Sequence, residues 1–64
     1  MIPVKVRCRV WQGNSVSNQE FETEVSPQDL SDSTRGQNKD KFSAWCANFF
    51  PGAKQVEFSG MSRR

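Results

Sequence analysis

A strict alternation of side chains over residues 2–11, IPVKVRCRVW, limits the folds open to this chain more than any other feature. Ile2, Val4, Val6, Cys8 and Val10 take every second position. A period of two places successive side chains on opposite faces of a β-strand, and β-branched residues favour strands. The sequence therefore predicts a long first strand with its valine face on a core. The opposite face carries Lys5, Arg7, Arg9 and Trp11.

Two later segments repeat this alternation. In residues 20–25, EFETEV, Phe21 and Val25 lie on one side and three glutamates on the other. In residues 54–59 the apolar positions are Val56 and Phe58. Both segments are predicted strands. Residues 12–19 lie between the first two strands and contain turn-forming residues, but we identify no two-residue hairpin turn, so a long flexible hairpin loop is predicted there.

Helix signals occupy the middle of the chain. Ser26 precedes Pro27, and an acid follows at Asp29, which is typical of a helix start. Residues 31–38 are polar and are predicted to form a loop. From Lys39 onward the spacing i, i+3, i+4 and i+7 predicts one buried helical stripe, which Pro51 and Gly52 end. The stripe consists of Phe42, Trp45, Cys46 and Phe49.

These elements predict an α+β fold with ββαβ order. The first strand is the longest and richest in valine, so we place it at the centre of a three-stranded antiparallel sheet with strand order 2-1-3. The helix packs on one face, and the other face stays open to water or a partner. A chain of 64 residues has room for one small domain, residues 1–64, with residues 60–64 as a short basic tail.

Composition narrows the classes of protein and the location. Apolar residues make up 34% of the chain and mean hydropathy is −0.76, yet the net charge is only +2, which favours a folded domain over disorder. No apolar run approaches the roughly 20 residues that span a bilayer, and no signal peptide is apparent. A cytoplasmic protein without a membrane partner is expected. Cys8 and Cys46 are then expected to be free, buried thiols.

The residue types argue against catalysis. The chain has no histidine, which excludes serine–histidine and cysteine–histidine couples and imidazole metal ligands. It also has no glycine-rich phosphate loop. Glu20, Glu22 and Glu24 alternate on one strand face, but a hairpin would set them beside the basic row of the first strand as cross-strand ion pairs. We therefore expect no enzyme, no cofactor and no metal site.

The leading hypothesis is a non-enzymatic protein-binding module, such as an adaptor, inhibitor or assembly factor. Trp11 points away from the core by strict alternation, and exposed tryptophan is enriched at binding hot spots. The candidate contact residues on the sheet are Trp11, Lys5, Arg7 and Arg9. A second candidate surface is the outward helix face, whose small side chains would allow close approach of a partner. It consists of Ala44, Ala47 and Asn48.

The alternative hypothesis is a weak nucleic-acid-binding protein. A basic row that ends in an aromatic residue resembles a phosphate track with a stacking platform, but the calculated pI of 8.8 is modest for such proteins. The candidate residues are Arg7, Arg9, Arg63 and Arg64. A third hypothesis is a homodimer with a structural role.

Overall fold

The computed structural model describes all 64 residues. The elements in chain order are β1 (Ile2–Gln12), β2 (Ser15–Val25), α1 (Pro27–Asp32), a 3₁₀ turn (Gly36–Asn38), α2 (Lys39–Ala47) and β3 (Gln55–Arg63). The strands form one antiparallel sheet in the order β2-β1-β3. The predicted α+β class, ββαβ order and central first strand are confirmed. Neither helix is long and apolar enough to cross a membrane.

The core lies between one face of the sheet and α2. The valine face of β1 is almost inaccessible to solvent, with Val4 and Val6 at 0% exposure. Phe42 and Cys46 of α2 pack against this face together with Val56 and Phe58 of β3. Only nine residues are buried in all, so each contributes a large share of the stability of so small a core.

The hairpin between β1 and β2 is tight, and the predicted flexible loop over residues 12–19 is wrong. Gln12 pairs with Ser15 across a two-residue turn of Gly13 and Asn14. Gly13 has a φ of 62°, whereas φ at Asn14 is not positive, since no residue other than glycine has a positive φ. This is the pattern of a type II′ turn with glycine at its first central position. Residues 15–19 therefore belong to β2, although their side chains are polar and exposed.

Gly13→Ala is expected to lower the free energy of unfolding by about 1–3 kcal/mol, because an L side chain is strained at this positive φ. Urea denaturation measures the loss. Gly36→Ala is the matched control, since φ at Gly36 is not positive and an added Cβ would meet no atom within 4 Å. It should leave stability unchanged or raise it by up to about 1 kcal/mol. Equal losses in both variants would contradict the type II′ turn.

The helical region begins as predicted and ends earlier. The Ser26 hydroxyl accepts a hydrogen bond from the Asp29 backbone N–H at 3.1 Å, which confirms the predicted helix start. α2 begins at Lys39 but stops at Ala47, so Phe49 lies beyond its end. The placement of Phe49 on the buried stripe is wrong, because its side chain is 42% exposed, and Trp45 is only half-buried.

Two segments predicted to be irregular carry regular structure. The polar segment 31–38 contains the end of α1 and the 3₁₀ turn, in which Asn38 Nδ2 donates to the Asp32 carbonyl at 3.0 Å. The predicted tail from residue 60 is largely strand, since β3 continues to Arg63. The register of β3 shifts by one residue opposite Arg7 and Cys8, and this bulge lets the strand follow β1 nearly to its start.

Candidate functional site

One whole face of the sheet has no helix over it, and we call it the open face. Its middle row is the basic row of β1, flanked on each side by side chains of β2 and β3 at the paired positions. The open face consists of Lys5, Arg7, Arg9 and Trp11 from β1, Val16, Asn18, Glu20, Glu22 and Glu24 from β2, and Gln55, Glu57, Gly60, Ser62 and Arg64 from the β3 side. The strand register thus brings together the four candidate residues predicted on the sheet.

Charges of both signs alternate across the open face. Lys5 Nζ lies 3.7 Å from Glu20 Oε2, and Arg64 Nε lies 2.6 Å from Glu22 Oε2. Glu24 has no ion-pair partner. These side chains are about half exposed, so each pair contributes at most about 1 kcal/mol. Their main effect is to fix which charge a partner meets at each place on the face.

Arg7 is held flat against β3. Its Nη1 donates to the Ser62 hydroxyl at 3.3 Å. Gly60 lies opposite Arg7, and a Cβ at Gly60 would come within 3.0 Å of Arg7 Nη2. The missing side chain of Gly60 therefore makes room for the guanidinium group. Arg9 has no such partner side chain and stays exposed opposite Glu57 and Asn18.

Trp11 lies at the hairpin end of the open face. Its side chain is half-buried and is not part of the core, and its neighbours across the sheet are Val16 of β2 and Gln55 of β3. Val16 is 54% exposed. Trp11 and Val16 thus form a small apolar area at one end of a face whose other side chains are mostly charged or polar.

The second candidate surface lies on the other side of the molecule. Ala44 and Ala47 of α2 and its C-cap Asn48 are exposed, as predicted. α2 packs on the valine face of the sheet, so these residues point away from the open face. The structure does not join the two predicted surfaces into one.

The four basic residues predicted as a nucleic-acid site lie in different surroundings. Arg64 is paired with Glu22, and Arg7 contacts Ser62. Arg63 lies opposite Val4, on the core side of the sheet, with its side chain exposed. Arg63 lies on the opposite side of the sheet from Arg7, Arg9 and Arg64, so the four residues do not share one surface.

Both thiols are buried in the core, as predicted, and neither is in a disulfide. Burial, together with the nearby Cys8, raises the pKa of Cys46 to about 12, and burial also raises the pKa of Cys8. Both thiols are therefore protonated at neutral pH, and a protonated thiol is a poor nucleophile. No group of three or more acidic or cysteine side chains is arranged to hold a metal ion.

Sequence reasoning missed two cavities beside the sheet. One of about 390 Å³ is polar and lies between the 3₁₀ region and β3, where Lys39 Nζ is 3.4 Å from Glu57 Oε1. The other, of about 280 Å³, is more apolar and lies at the end of β2 beside Val25, Phe42 and Trp45. Neither follows from a sequence pattern, because each is formed by loops and helix ends packing beside the sheet.

Sequence reasoning also missed an aromatic ledge under β2. Phe21 of β2 stacks on Phe49 with ring centroids 4.2 Å apart, and Trp45 lies edge-on to Phe49 at 5.3 Å. We call Phe21, Trp45 and Phe49 the aromatic ledge. The available signal was Phe49 itself, which the helical spacing assigned to the buried stripe.

Comparisons of the chain with protein-family models, with curated proteins and with solved structures found no match to any of them.

Proposed function

We propose that this chain is a small non-enzymatic protein-binding module that contacts its partner through the open face of the sheet. One observation carries the proposal. A complete sheet face is uncovered, and its side chains are set by strand register into a fixed pattern of charges with a tryptophan at one end. A folded surface of this kind recognises a partner without rearranging its backbone.

The balance of charge favours a protein partner over a polyanion. The open face has four basic side chains, namely Lys5, Arg7, Arg9 and Arg64, and four acidic ones, namely Glu20, Glu22, Glu24 and Glu57. A nucleic-acid backbone would meet glutamates on both sides of the basic row. Repulsion between these glutamates and the phosphates would offset the free energy gained from counterion release. A protein surface can match both signs.

Trp11 is the residue expected to contribute most binding energy. A tryptophan brings a large apolar area, and here it lies beside exposed Val16 rather than in the core. Truncation of Trp11 therefore removes contact area without opening a cavity in the packed interior. Arg9, exposed and without an ion-pair partner, is the charged residue best placed to meet an acid of the partner.

Trp11→Ala is expected to leave the chain folded and to weaken partner binding by about 2 kcal/mol or more, roughly 30-fold. The partner is first captured on the immobilised chain from a nuclease-treated extract of the organism that makes it, and its affinity is then measured by calorimetry. Arg9→Glu should act more weakly, chiefly on the association rate. Arg35→Glu, a charge reversal on an exposed residue outside the open face, is the matched control and should bind normally.

Three outcomes would contradict the proposal. Full affinity in a folded Trp11→Ala variant places the contact elsewhere, and loss of affinity in Ala47→Arg would then identify the outward helix face. Unfolding of Trp11→Ala, measured by circular dichroism, would make Trp11 a core residue. Retention only in extract that still contains nucleic acid would replace a protein partner with a nucleic acid.

A further inference from the structure

The two edges of the sheet differ, and the outer edge of β2 is bare. At β3 the outer edge is covered in part by α2, where the Ser43 hydroxyl accepts a hydrogen bond from the Phe58 backbone N–H at 2.9 Å. Nothing pairs with the outer edge of β2, an 11-residue strand. Long unpaired strand edges are the surfaces to which extended segments of other chains add.

Strand register identifies the backbone groups at this edge. The carbonyls of Pro3 and Trp11 accept hydrogen bonds from Arg64 and Lys54 on the β3 side, so odd-numbered residues of β1 face β3 and even-numbered ones face β2. Pairing of β1 with β2 then turns the odd-numbered residues of β2 toward β1. The even-numbered residues of β2 direct their N–H and C=O groups outward. These are Val16, Asn18, Glu20, Glu22 and Glu24.

The glutamates at this edge disfavour pairing with a second copy of the chain in the register that joins the most residues of their row. Side chains of directly opposed residues share a face, and like charges in that position are destabilising. Antiparallel pairing of two β2 edges joins even-numbered residues to even-numbered residues, for example Glu22 to Glu22 and Glu20 to Glu24. Self-pairing in this register therefore brings glutamates together, whereas an added strand with basic residues at the opposed positions would neutralise them.

The other side of the edge offers apolar side chains at Phe21 and Val25, toward the end of β2. An added strand would turn its alternate side chains toward the helix side, next to the aromatic ledge, where Phe49 is 42% exposed. The cavity of about 280 Å³ at the Val25 end of β2 lies on the same side and is lined mainly by apolar side chains. Apolar residues at alternate positions of the added strand would cover both.

We propose that the outer edge of β2 binds an extended segment of a partner protein in which basic and apolar residues alternate. β1 has this pattern and already pairs with β2 along its inner edge, with Lys5 beside Glu20. The partner strand repeats on the outer edge what β1 does on the inner one. The inference deepens the proposed function and rests on it only in taking the ligand to be a polypeptide.

A synthetic peptide tests the inference directly. The probe is a fluorescein-labelled peptide with the sequence of residues 3–11 and serine in place of Cys8, PVKVRSRVW. Its control contains the same residues in an order without alternation. Fluorescence anisotropy is expected to show saturable binding of the probe and weaker binding of the control. Equal binding of the two peptides would reduce the interaction to unspecific charge attraction and overturn the inference.

Two charge reversals locate the site. Glu24→Lys is expected to weaken probe binding about tenfold, because it replaces attraction by repulsion without breaking an internal ion pair. Asp40→Lys makes the same change of charge at an exposed α2 residue that also lacks an ion-pair partner, and it should have little effect. If the two variants bind the probe equally well, the site is not at β2.

Amide exchange gives a readout that charge attraction alone would not produce. In the free chain the N–H groups of Glu20, Glu22 and Glu24 should exchange fast, and those of Phe21 and Thr23 slowly, because β1 protects the latter. The probe should slow the three glutamate amides. Unchanged exchange at these amides, or their protection in the chain alone at high concentration as β2 pairs with a second copy, would overturn the inference.

Trp11→Ala separates this inference from the proposed function. The variant should bind the probe like the unmodified chain, since Trp11 lies opposite Val16, away from the glutamates. If Trp11→Ala loses partner capture and the unmodified chain does not bind the probe, the proposed function stands and only strand addition at β2 is ruled out. If the probe binds at β2 and Trp11→Ala still captures the partner, strand addition stands and the proposed contact through Trp11 is ruled out.

Discussion

Replacement of Phe42 by alanine is expected to lower the free energy of unfolding by about 3–5 kcal/mol, a large share of the total for this chain. Phe42 is 4% exposed and its ring lies 5.1 Å from that of Phe58 and 6.1 Å from that of Trp45. Truncation of a buried phenylalanine costs about 3–5 kcal/mol. A domain of this size has a total stability of only about 3–10 kcal/mol. Urea denaturation followed by circular dichroism measures the loss.

Phe49→Ala is the matched control for Phe42→Ala. The helical spacing in the sequence places both rings on one buried stripe, but in the structure α2 ends before Phe49. The Phe49 ring is partly in solvent, and the loss is expected to be about 1 kcal/mol, mainly from its stacking on Phe21. Losses of equal size in the two variants would contradict the end of α2 at Ala47.

The second large effect is loss of stability at alkaline pH. The pKa of Cys46 rises from 9.0 to about 12 on folding. Between these values the unfolded chain loses the thiol proton and the folded chain keeps it. The contribution of the protonated Cys46 thiol to the free energy of unfolding is therefore fully present below pH 9. It falls by up to about 1.4 kcal/mol per pH unit as the pH rises toward 12. Cys8, whose pKa is also raised by burial, acts in the same direction.

Thermal unfolding between pH 8 and pH 12 measures this dependence. The chain has no tyrosine, so no phenol titrates in the same range. Cys46→Ala is less stable at pH 8 because it leaves a cavity, but its melting temperature should fall less steeply above pH 9. If the pH dependence of Cys46→Ala equals that of the unmodified chain, titration of the Cys46 thiol is not its cause.

The sheet could be predicted because its information is local. Alternation in residues 2–11 and 20–25 specifies strands and also which side of each is buried, and the match of basic with acidic rows indicates their pairing. The central place of β1 follows from its valine content. The structure places the glutamate row of β2 beside the basic row of β1, with Lys5 opposite Glu22 and Arg7 opposite Glu20.

The two-residue turn at Gly13 and Asn14 was also predictable from the sequence, because glycine followed by asparagine suits the type II′ geometry. Other features depend on backbone geometry that residue patterns describe poorly. Residues 15–19 are predicted to be a loop because they are polar and have no buried face. In the structure their backbone pairs with β1, and they form the first part of β2. The bulge opposite Arg7 and Cys8 has no sequence signal beyond Gly60.

The candidate site was predictable in part for the same reason. The residues that share the open face follow from alternation, as does the outward position of Trp11. The bare edge of β2 depends instead on the position of α2. This helix lies along β3 rather than along β2, and its Ser43 hydroxyl accepts a hydrogen bond from the Phe58 backbone N–H. The aromatic ledge results from this offset, because it leaves Phe21 covered only by residues at and beyond the end of α2.

The central position of β1 has a consequence for synthesis on the ribosome. β1 pairs with β2, which follows at once, but also with Gln55–Arg63, which are made much later. At about 5–20 residues per second, the growing chain carries β1 with one edge unpaired for seconds. During that interval Lys5, Arg7 and Arg9 lie along this edge, and basic side chains on an exposed strand discourage pairing with other nascent chains. The basic row of β1 thus opposes aggregation of the chain before the sheet is complete.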